Sequence, residues 1–501
     1  RQISFGLDVP ETETEFGILA KGSGHSDPVS ESIRLIGHCP ALPAPQGIWD
    51  YEHENPFLDA RGFIVDGDPE RPNPYHNQQL NKLLLNGGRL YVDGAHPEYS
   101  TPECSHPLEI LAHERAGEQM VSACLQALNA SQGEETFFVY KNNSDGKGNS
   151  YGYHENYLLS RQVPFNTIAQ VLIPFFVTRQ IYAGAGKVGS ENHTDAADYQ
   201  IAQRSDFFEC LMDLNTMVKR PIMNTRDEPH SDQNMYRRVH VIVGDANMAE
   251  IPTYLKVGTT AILMELLDAG WEFPKITLQD PVRDIKTVSR DLAVNASLQL
   301  ANGQYTSSIA IQRTYLKTAY DYYQTRDLSP MIKDILLCWE RILNTLEQDP
   351  TQLVRELDWV AKHQMMQSYM SRKGCGWNDP RIALLDLQYH DVRPDKGLYY
   401  SLERRNRIER VLQDSDITHA QHNPPPNTRA FFRGTCLQRF ADQVYGMGWT
   451  SVLLDQGNAT IKRIPLMDPY RGTQALTNDL LEGVSTVDQL LAKLAGSSSA
   501  Q

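Results

Sequence analysis

Three glutamates alternate with threonines near the start of the chain, in the run Glu11-Thr12-Glu13-Thr14-Glu15. Side chains on a β-strand point alternately to its two faces, so the three carboxylates share one face if this run is a strand. Like charges that close repel one another unless water or a cation separates them. Carboxylate oxygens are ligands that Mg²⁺ accepts, which predicts a magnesium site. The alternative is a solvated edge strand, since exposed carboxylates are the rule.

A second group of reactive residue types lies at the end of another predicted strand. Arg89, Tyr91 and Asp93 would share one face of that strand, and His96 and Glu98 follow just beyond it. A carboxylate at a strand end is well placed to act as a general base or a nucleophile. The alternative is that Asp93 and the glycine after it only form a turn, which that dipeptide most often does.

A glycine-rich stretch over 145–152 precedes the pair His154 and Glu155. The stretch is not a GxxxxGK[ST] loop, so a nucleotide site of the P-loop kind is not expected. On a strand, His154 and Glu155 point to opposite faces, so only one of them faces a pocket. A buried, hydrogen-bonded histidine is the alternative interpretation.

Basic residues concentrate between residues 204 and 240, in a chain that is acidic overall. They include Arg204, Arg226, Arg238 and His240. The planar guanidinium group suits phosphate and carboxylate, so this segment is predicted to bind an anion. The alternative is a set of surface ion pairs, which contribute little individually.

The elements that must position these residues are a mixture of strands and helices. The predicted strands are 12–18, 88–93, 136–141 and 239–243, and the predicted helices are 108–128, 331–347 and 484–495. Because they do not alternate in a strict βαβ rhythm, we expect an α+β fold with a mostly antiparallel sheet. Residues 38–80 form a long polar excursion, and the prolines at 424–426 indicate a rigid linker.

Composition narrows the class of protein. Of the 501 residues, 41% are apolar and 22% are charged, as in ordinary globular proteins. The net charge of −15 argues against binding to duplex nucleic acid. The seven cysteines lack zinc-like spacing and are odd in number, so a reducing compartment is expected. With no visible signal peptide or membrane-spanning run, a cytoplasmic protein is predicted.

Longer motifs resemble one family over nearly the whole chain. In chain order they are TETEFG, WDYEHENPFLDARGF, RLYVDGAHPEYSTPEC, YKNNSDGKGNSYGYHENYLLSRQ, QRSDF, NTRDEPHSD, HVIVGDANMAE, LQYHDVRPDKGLYY, NPPPNTRAFFRG and GWTSV. The sequence resembles the family of ligases and deamidases that act on the prokaryotic ubiquitin-like protein Pup. The resemblance implies a glutamine-synthetase-like catalytic domain over 1–422, whose concave, mostly antiparallel sheet is backed by helices. It also implies a small C-terminal domain over 423–501.

The resemblance also implies roles for particular residues. Asp93 matches the catalytic aspartate. The implied metal ligands are Glu13, Tyr91, Glu98 and His154. The implied nucleotide-binding residues are Arg89, Thr101, Arg204, Arg226, His240 and Trp449. The implied cofactors are ATP, or ADP plus phosphate, and Mg²⁺.

Within the family, the sequence resembles the amidase branch. The segment 47–80 is typical of that branch, as is the spacing between Asp93 and Glu98. The implied activities are deamidation of the C-terminal glutamine of Pup and cleavage of the bond between Pup and a substrate lysine. Pup and pupylated proteins are the implied partners, with a functional link to the bacterial proteasome, and 47–80 is expected to be a mobile gate.

Two other functions stay open. One is a Pup ligase, which shares the nucleotide and metal motifs of the amidase branch. The other is a non-catalytic Pup-binding homologue. Retention of clustered carboxylates argues against the latter, because such clusters are typical of functional sites.

Overall fold

The computed structural model describes residues 10–22, 27–39, 46–47, 57–65, 81–216, 218–326, 328–457 and 460–498. The predicted gate over 47–80 therefore lies outside the described residues except for 47 and 57–65. Strands within the described residues are β1 (Pro10–Glu15), β2 (Gly17–Ala20), β3 (Gln46–Gly47), β4 (Leu58–Asp59), β5 (Phe63–Ile64), β6 (Asn81–Leu83), β7 (Arg89–Asp93), β8 (His96–Ser100), β9 (Phe137–Tyr140), β10 (Tyr153–Ser160), β11 (Lys187–Val188), β12 (Tyr199–Gln200), β13 (Phe208–Asp213), β14 (Arg220–Asn224), β15 (Tyr236–Val241), β16 (Leu298–Gln299), β17 (Tyr305–Thr306), β18 (Val444–Met447), β19 (Ser451–Asp455) and β20 (Ile461–Pro465). The α-helices are α1 (Pro28–Gly37), α2 (Pro107–Gln132), α3 (Phe165–Ala183), α4 (Glu250–Asp268), α5 (Pro281–Arg290), α6 (Ser308–Tyr323), α7 (Pro330–Gln348), α8 (Asp358–Lys373), α9 (Pro380–Tyr389), α10 (Leu398–Arg404), α11 (Asp414–His422), α12 (Ala430–Phe440), α13 (Gln474–Leu481) and α14 (Val487–Ser498).

A six-stranded sheet in the order β15-β10-β1-β8-β7-β6 organises the larger part of the chain. Each neighbouring pair of its strands is antiparallel. Near the middle of the sheet, Glu13 on β1 lies opposite both His154 on β10 and Ser100 on β8. The prediction of an α+β fold with a mostly antiparallel sheet is confirmed.

The single strand predicted over 12–18 is wrong in one respect, because the chain forms two strands that separate at Phe16. The Phe16 side chain is buried in a hydrophobic cluster, and its backbone amide donates to the Pro97 carbonyl at 2.9 Å. Beyond this point β2 leaves the six-stranded sheet and pairs with β9. Burial of one aromatic side chain therefore sets where β1, and the carboxylates it carries, ends.

Helices cover one face of the six-stranded sheet. Tyr157 and Val239 of the sheet join a large core with residues of α3, α4 and α7, including Phe175 and Trp339. Helix α7 begins where predicted, because the Ser329 hydroxyl accepts from the Ile332 amide at 3.2 Å and a proline opens the first turn. Within the described residues, no helix is long and apolar enough to cross a membrane.

The C-terminal residues build a second sheet in the order β20-β19-β18-β3. Strand β3 pairs in parallel with β18, whereas the other pairs are antiparallel. A separate hydrophobic cluster, which includes Phe432, Val452 and Leu490, packs this sheet against α12 and α14. The predicted domain boundary at residue 423 stays a prediction.

The hairpin β4–β5 lies against the segment that follows β14. The Thr225 hydroxyl donates to the Asp59 carboxylate at 2.6 Å, and the Asp227 amide donates to the Leu58 carbonyl at 3.0 Å. A β-bridge also pairs Asp59 with Arg226. Main-chain bonds therefore attach this described part of the 38–80 segment to the backbone of a predicted site residue.

Gly117→Ala is expected to destabilise the protein. Gly117 lies in α2 directly against the buried ring of Tyr99 on β8, where an added Cβ would overlap the ring. Overpacking of this kind costs about 1–3 kcal/mol, which exceeds the gain in helix propensity from alanine. Urea denaturation measures the change. The control is Gly37→Ala at the end of α1, where a Cβ meets no atom within 4 Å, and an equal effect of both would contradict the packing argument.

Candidate active site

The face of the six-stranded sheet opposite the helical core carries most of the polar side chains singled out in the sequence. Alternation along each strand brings them to this one face. They are Glu11, Glu13, Glu15, Arg89, Tyr91, Asp93, His96, Glu98, His154, Arg238 and His240, and they share the face with Ser100 and Asn156, which the sequence analysis did not select.

Glu13, His154 and His240 form the first cluster with metal-ligating atoms, which lie within 4.8 Å of one another. His154 Nδ1 and Glu13 Oε2 are 3.0 Å apart, and the two imidazole rings meet edge to face. Although burial opposes it, the hydrogen bond to His154 and the nearby charges hold the pKa of Glu13 well below its usual range. Burial, followed by the charge of Arg238, holds the pKa of His240 well below its usual range. The resemblance assigned His240 to the nucleotide, but the structure places it beside Glu13 and His154, two implied metal ligands.

Asn156, which the sequence analysis did not select, lies between the carboxylates and the bases. Its side-chain amide donates to Glu11 Oε1 at 3.0 Å and to Glu13 Oε1 at 2.9 Å. Its carbonyl oxygen accepts from Arg238 at 2.9 Å and lies 2.6 Å from His240 Nδ1. The sequence did offer a signal for Asn156. It lies two positions after His154 on β10, so strand alternation places both side chains on the same face. The bonds indicate that Asn156 orients groups on both sides.

Glu15, Asp93 and Glu98 form the second cluster, again with oxygen atoms within 4.8 Å of one another. Burial and then the charge of Asp93 raise the pKa of Glu98 well above its usual range. Desolvation by the crowded neighbouring groups and then the charge of Glu15 raise the pKa of Asp93, although its side chain is exposed at the end of β7. The Tyr91 hydroxyl donates to Glu98. Three crowded carboxyl groups of this kind favour either a bound proton or a bound cation.

Glu15 is the member of this cluster that was not assigned a role. The sequence placed it on the correct face, but the resemblance assigned only Glu13 of the three glutamates. His96 Nδ1 lies 3.2 Å from Glu15 Oε2, and the His96 ring packs 4.4 Å from the ring of Tyr151. Although burial opposes it, the hydrogen bond from His96 lowers the pKa of Glu15.

Trp449 lies at the turn between β18 and β19 and reaches Arg89 on β7. The Arg89 guanidinium carbon is 4.5 Å from the centre of the indole ring, and Arg89 Nη2 donates to the Met447 carbonyl at 3.2 Å. Both side chains are largely buried. The structure therefore brings together two implied nucleotide contacts that are 360 positions apart in the sequence.

Two other implied nucleotide contacts are engaged with the protein's own backbone. Arg204 is buried, and its guanidinium donates to the Ile242 carbonyl. Burial lowers the pKa of Arg204 to about 9. The Thr101 hydroxyl accepts from the Thr12 amide at 3.0 Å. Both residues hold strands of the site together, and their contacts with a nucleotide stay predictions.

Arg226 follows β14, in the segment that pairs with hairpin β4–β5. Its guanidinium is 3.7 Å from Glu228 Oε2, and about a third of its side chain is exposed. The charge of Arg226 opposes the rise in the pKa of Asp93. This placement supports the predicted anion-binding role of the basic segment.

Two carboxylate-containing clusters, beside histidines and arginines, therefore share one face of the sheet. The family model described as Pup-ligase protein matches residues 9–453. The depupylase of Acidothermus cellulolyticus is 43% identical over 495 residues, which cover 97% of this chain and 98% of that one. The Pup–protein ligase of Nocardioides sp. is 41% identical over 414 residues, which cover 81% of this chain and 90% of that one.

Solved structures of a Pup ligase have the same fold. The complex between Pup and its ligase PafA superposes with a TM-score of 0.80 at 30% identity, covering 98% of this chain and 94% of that one. The structure of PafA in complex with ADP has a TM-score of 0.73 at 33% identity, covering 80% of this chain and 89% of that one. The chain belongs to the Pup-ligase family.

Glu98→Gln is expected to stabilise the metal-free protein at pH 8. Because the pKa of Glu98 is raised in the folded protein, its contribution to stability falls as the pH rises above the ordinary range of a carboxyl group. An uncharged isostere removes that loss, a gain of about 1–3 kcal/mol at pH 8 that disappears near pH 4. Urea denaturation in the presence of a chelator at both pH values measures it. The control is Glu134→Gln at an exposed position; a less stable Glu98→Gln protein at pH 8 would contradict the charge argument.

Proposed function

We propose that the protein is a Pup deamidase and depupylase. It hydrolyses the side-chain amide of a C-terminal glutamine of Pup, and it cuts the isopeptide bond between Pup and a lysine of a modified protein. Both reactions cleave the same type of amide with different leaving amines. The observation that carries the proposal is Asp93 at the end of β7 beside two further carboxyl groups, in a chain 43% identical to a depupylase.

The donor set fits Mg²⁺. Four residues are proposed as ligands, namely Glu13, Tyr91, Glu98 and His154. The crowding of carboxyl groups, with the pKa of Glu98 raised by burial and by Asp93, is an electrostatic cost that a divalent cation would remove. When bound, the ion would supply positive charge to polarise a carbonyl or orient phosphate oxygens. Glu15, Asp93 and His240 are the remaining members of the two clusters.

The proposed nucleotide is ATP, or ADP plus phosphate. Arg89 and Trp449 form the platform that supports this assignment, because a paired indole and guanidinium offer a flat surface and a positive charge. Thr101, Arg204, Arg226 and His240 are the other proposed contacts. Hydrolysis of an amide is downhill in water, so the nucleotide acts as a cofactor here, whereas a ligase must consume it.

Asp93 is the proposed catalytic residue. Its carboxylate either attacks the amide carbonyl or takes a proton from an attacking water or phosphate. Desolvation by neighbouring groups and then the charge of Glu15 raise its pKa, which makes the carboxylate a stronger base than an isolated aspartate. The charge of Arg226 acts on Asp93, and we propose that it neutralises negative charge that develops on the substrate.

The proposed partners are Pup and pupylated proteins. The same resemblance supports a functional link to the bacterial proteasome and a cytoplasmic location. The chain carries a net charge of −15, so an acidic partner must be met by local positive charge rather than by the surface as a whole. Arg226, about a third of whose side chain is exposed, is one source of such charge.

The second candidate is a Pup ligase. The identity of 41% to a Pup–protein ligase and the shared fold with PafA favour it. The depupylase alignment covers 97% of this chain, against 81% for the ligase, and this difference favours the amidase.

Incubation of Pup ending in glutamine with the protein, Mg²⁺ and a catalytic amount of ATP is expected to give Pup ending in glutamate. Mass spectrometry detects the change as a gain of about 1 Da, the difference between an amide and an acid. Asp93→Asn is expected to reduce the rate by at least about 10³-fold, because it removes the base or nucleophile.

The ligase is tested in the same series with Pup ending in glutamate. Conjugates between Pup and lysine that consume ATP stoichiometrically, without deamidation of the glutamine form, would establish the ligase and contradict the amidase. Absence of both reactions, with Pup still bound, would establish a non-catalytic homologue. Equal deamidation by the wild type and Asp93→Asn would contradict the role of Asp93.

A further inference from the structure

Glu103 is a buried carboxylate that no part of the proposed mechanism uses. It lies three residues beyond β8 and is 4% exposed. Its Oε1 accepts from Arg429 Nε at 2.8 Å and from Arg433 Nη1 at 2.8 Å, and its Oε2 accepts from Arg433 Nη2. Although burial opposes it, the two arginines hold the pKa of Glu103 well below its usual range. A single carboxylate from the sheet therefore neutralises two cations more than 300 residues away in the sequence.

Arg433 connects this carboxylate to the platform of Trp449 and Arg89. Arg433 Nη1 also donates to the Trp449 carbonyl at 3.0 Å, and its guanidinium carbon lies 5.1 Å from the centre of the indole ring. Arg433 Nη2 donates to the Gly87 carbonyl at 3.3 Å, two residues before Arg89. Arg433 thus contacts the backbone on both sides of the platform.

Arg429 connects the Glu103 carboxylate to the backbone of two further segments. Its Nη2 donates to the His230 carbonyl at 2.6 Å, and its Nη1 donates to the Leu466 carbonyl at 2.7 Å. The His230 ring lies 6.5 Å from the Trp449 ring. The Glu103 carboxylate is consequently at the junction of the residues that follow β8, the backbone at His230 and the C-terminal sheet.

The charges explain why an anion is required at this junction. Arg89 and Arg433 both lie against the same indole ring, and both are at most 2% exposed. Burial and then the charge of Arg433 lower the pKa of Arg89 to about 10. Without a counter-ion, such buried guanidinium groups draw in water or move apart.

We propose that Glu103 is a positioning residue of the nucleotide site, which holds Arg433, and through it Trp449 and Arg89, in the arrangement that binds the nucleotide. The proposal rests on the nucleotide-binding function proposed above for Arg89 and Trp449. Glu103 itself contacts neither the nucleotide nor the reacting atoms. Its replacement therefore weakens nucleotide binding and spares the chemical step.

Glu103→Gln and Glu103→Asp in the full-length protein test this. Glu103→Gln keeps the shape but loses the charge, and we expect the Kd for ADP, measured by titration calorimetry, to rise at least tenfold. At saturating ATP, the kcat for deamidation of Pup should fall less than threefold. Glu103→Asp keeps the charge and should recover an affinity within threefold of the wild type.

A fluorescence measurement reports on the platform itself. The contribution of Trp449 is obtained by subtracting the spectrum of Trp449→Phe. In Glu103→Gln this contribution should shift to longer wavelength, as expected of an indole that gains access to water, and should lose its response to ADP.

The matched control is Glu250→Gln. Glu250 is equally buried and lies 3.6 Å and 3.5 Å from the guanidinium groups of Arg115 and Arg410, outside the site. A merely structural role predicts that Glu103→Gln and Glu250→Gln lower the free energy of unfolding alike and leave the Kd for ADP unchanged. That result, at a temperature where both variants are folded, would overturn the proposal.

If Glu103→Gln does not fold, Arg433→Lys takes its place, because lysine keeps the charge but not the two-pronged contact with Glu103 and the Trp449 carbonyl. A rise in the Kd for ADP of at least fivefold, with kcat kept within threefold, supports the proposal, and an unchanged Kd overturns it. Failure of the wild type to bind ADP would overturn both this proposal and the proposed nucleotide function. Loss of affinity in neither variant would overturn the role of Glu103 alone.

Discussion

Repulsion between neighbouring carboxylates is the constraint on which the architecture of the site depends. Adjacent strands of a sheet lie about 5 Å apart, so acidic residues in register across strands cannot avoid one another. Glu15 on β1 lies directly opposite Glu98 on β8, and Glu13 lies opposite His154. Side chains that donate hydrogen bonds or carry positive charge flank these carboxylates on both sides. Asn156 makes the most hydrogen bonds among them. A rigid support is needed to hold such a face together.

That support comes from the other side of the same strands. Glu155, which alternates with the site residues along β10, is fully buried and forms two hydrogen bonds with Arg179 of α3, at 2.9 Å and 2.5 Å. The Tyr153 hydroxyl donates to Glu114 of α2 at 2.5 Å. Strand β10 is thus bound to two helices by charged groups as well as by apolar packing. Its open face can then carry groups that would otherwise drive the strands apart.

Local periodicity explains which parts of this arrangement the sequence could predict. Alternation along a strand is a local property, so the common face of Glu13 and its neighbours, and the position of Asp93 at a strand end, follow from residue types alone. The register between strands is a long-range property, and it is what groups Glu15 with Asp93 and His240 with Glu13. Trp449 was accessible only through the resemblance, because no local pattern connects it to β7. The end of β1 at Phe16 depends on tertiary packing and was missed for the same reason.

The attachment of hairpin β4–β5 limits the insertions and deletions that the chain can accept at this point. The backbone of the hairpin is hydrogen-bonded to the backbone around Arg226. These bonds position the residues around Arg226 and do not depend on the identity of the hairpin side chains. Substitutions in the hairpin leave that pairing intact, whereas an inserted or deleted residue between Leu58 and Ile64 would shift the register by one position and turn neighbouring side chains to the opposite face.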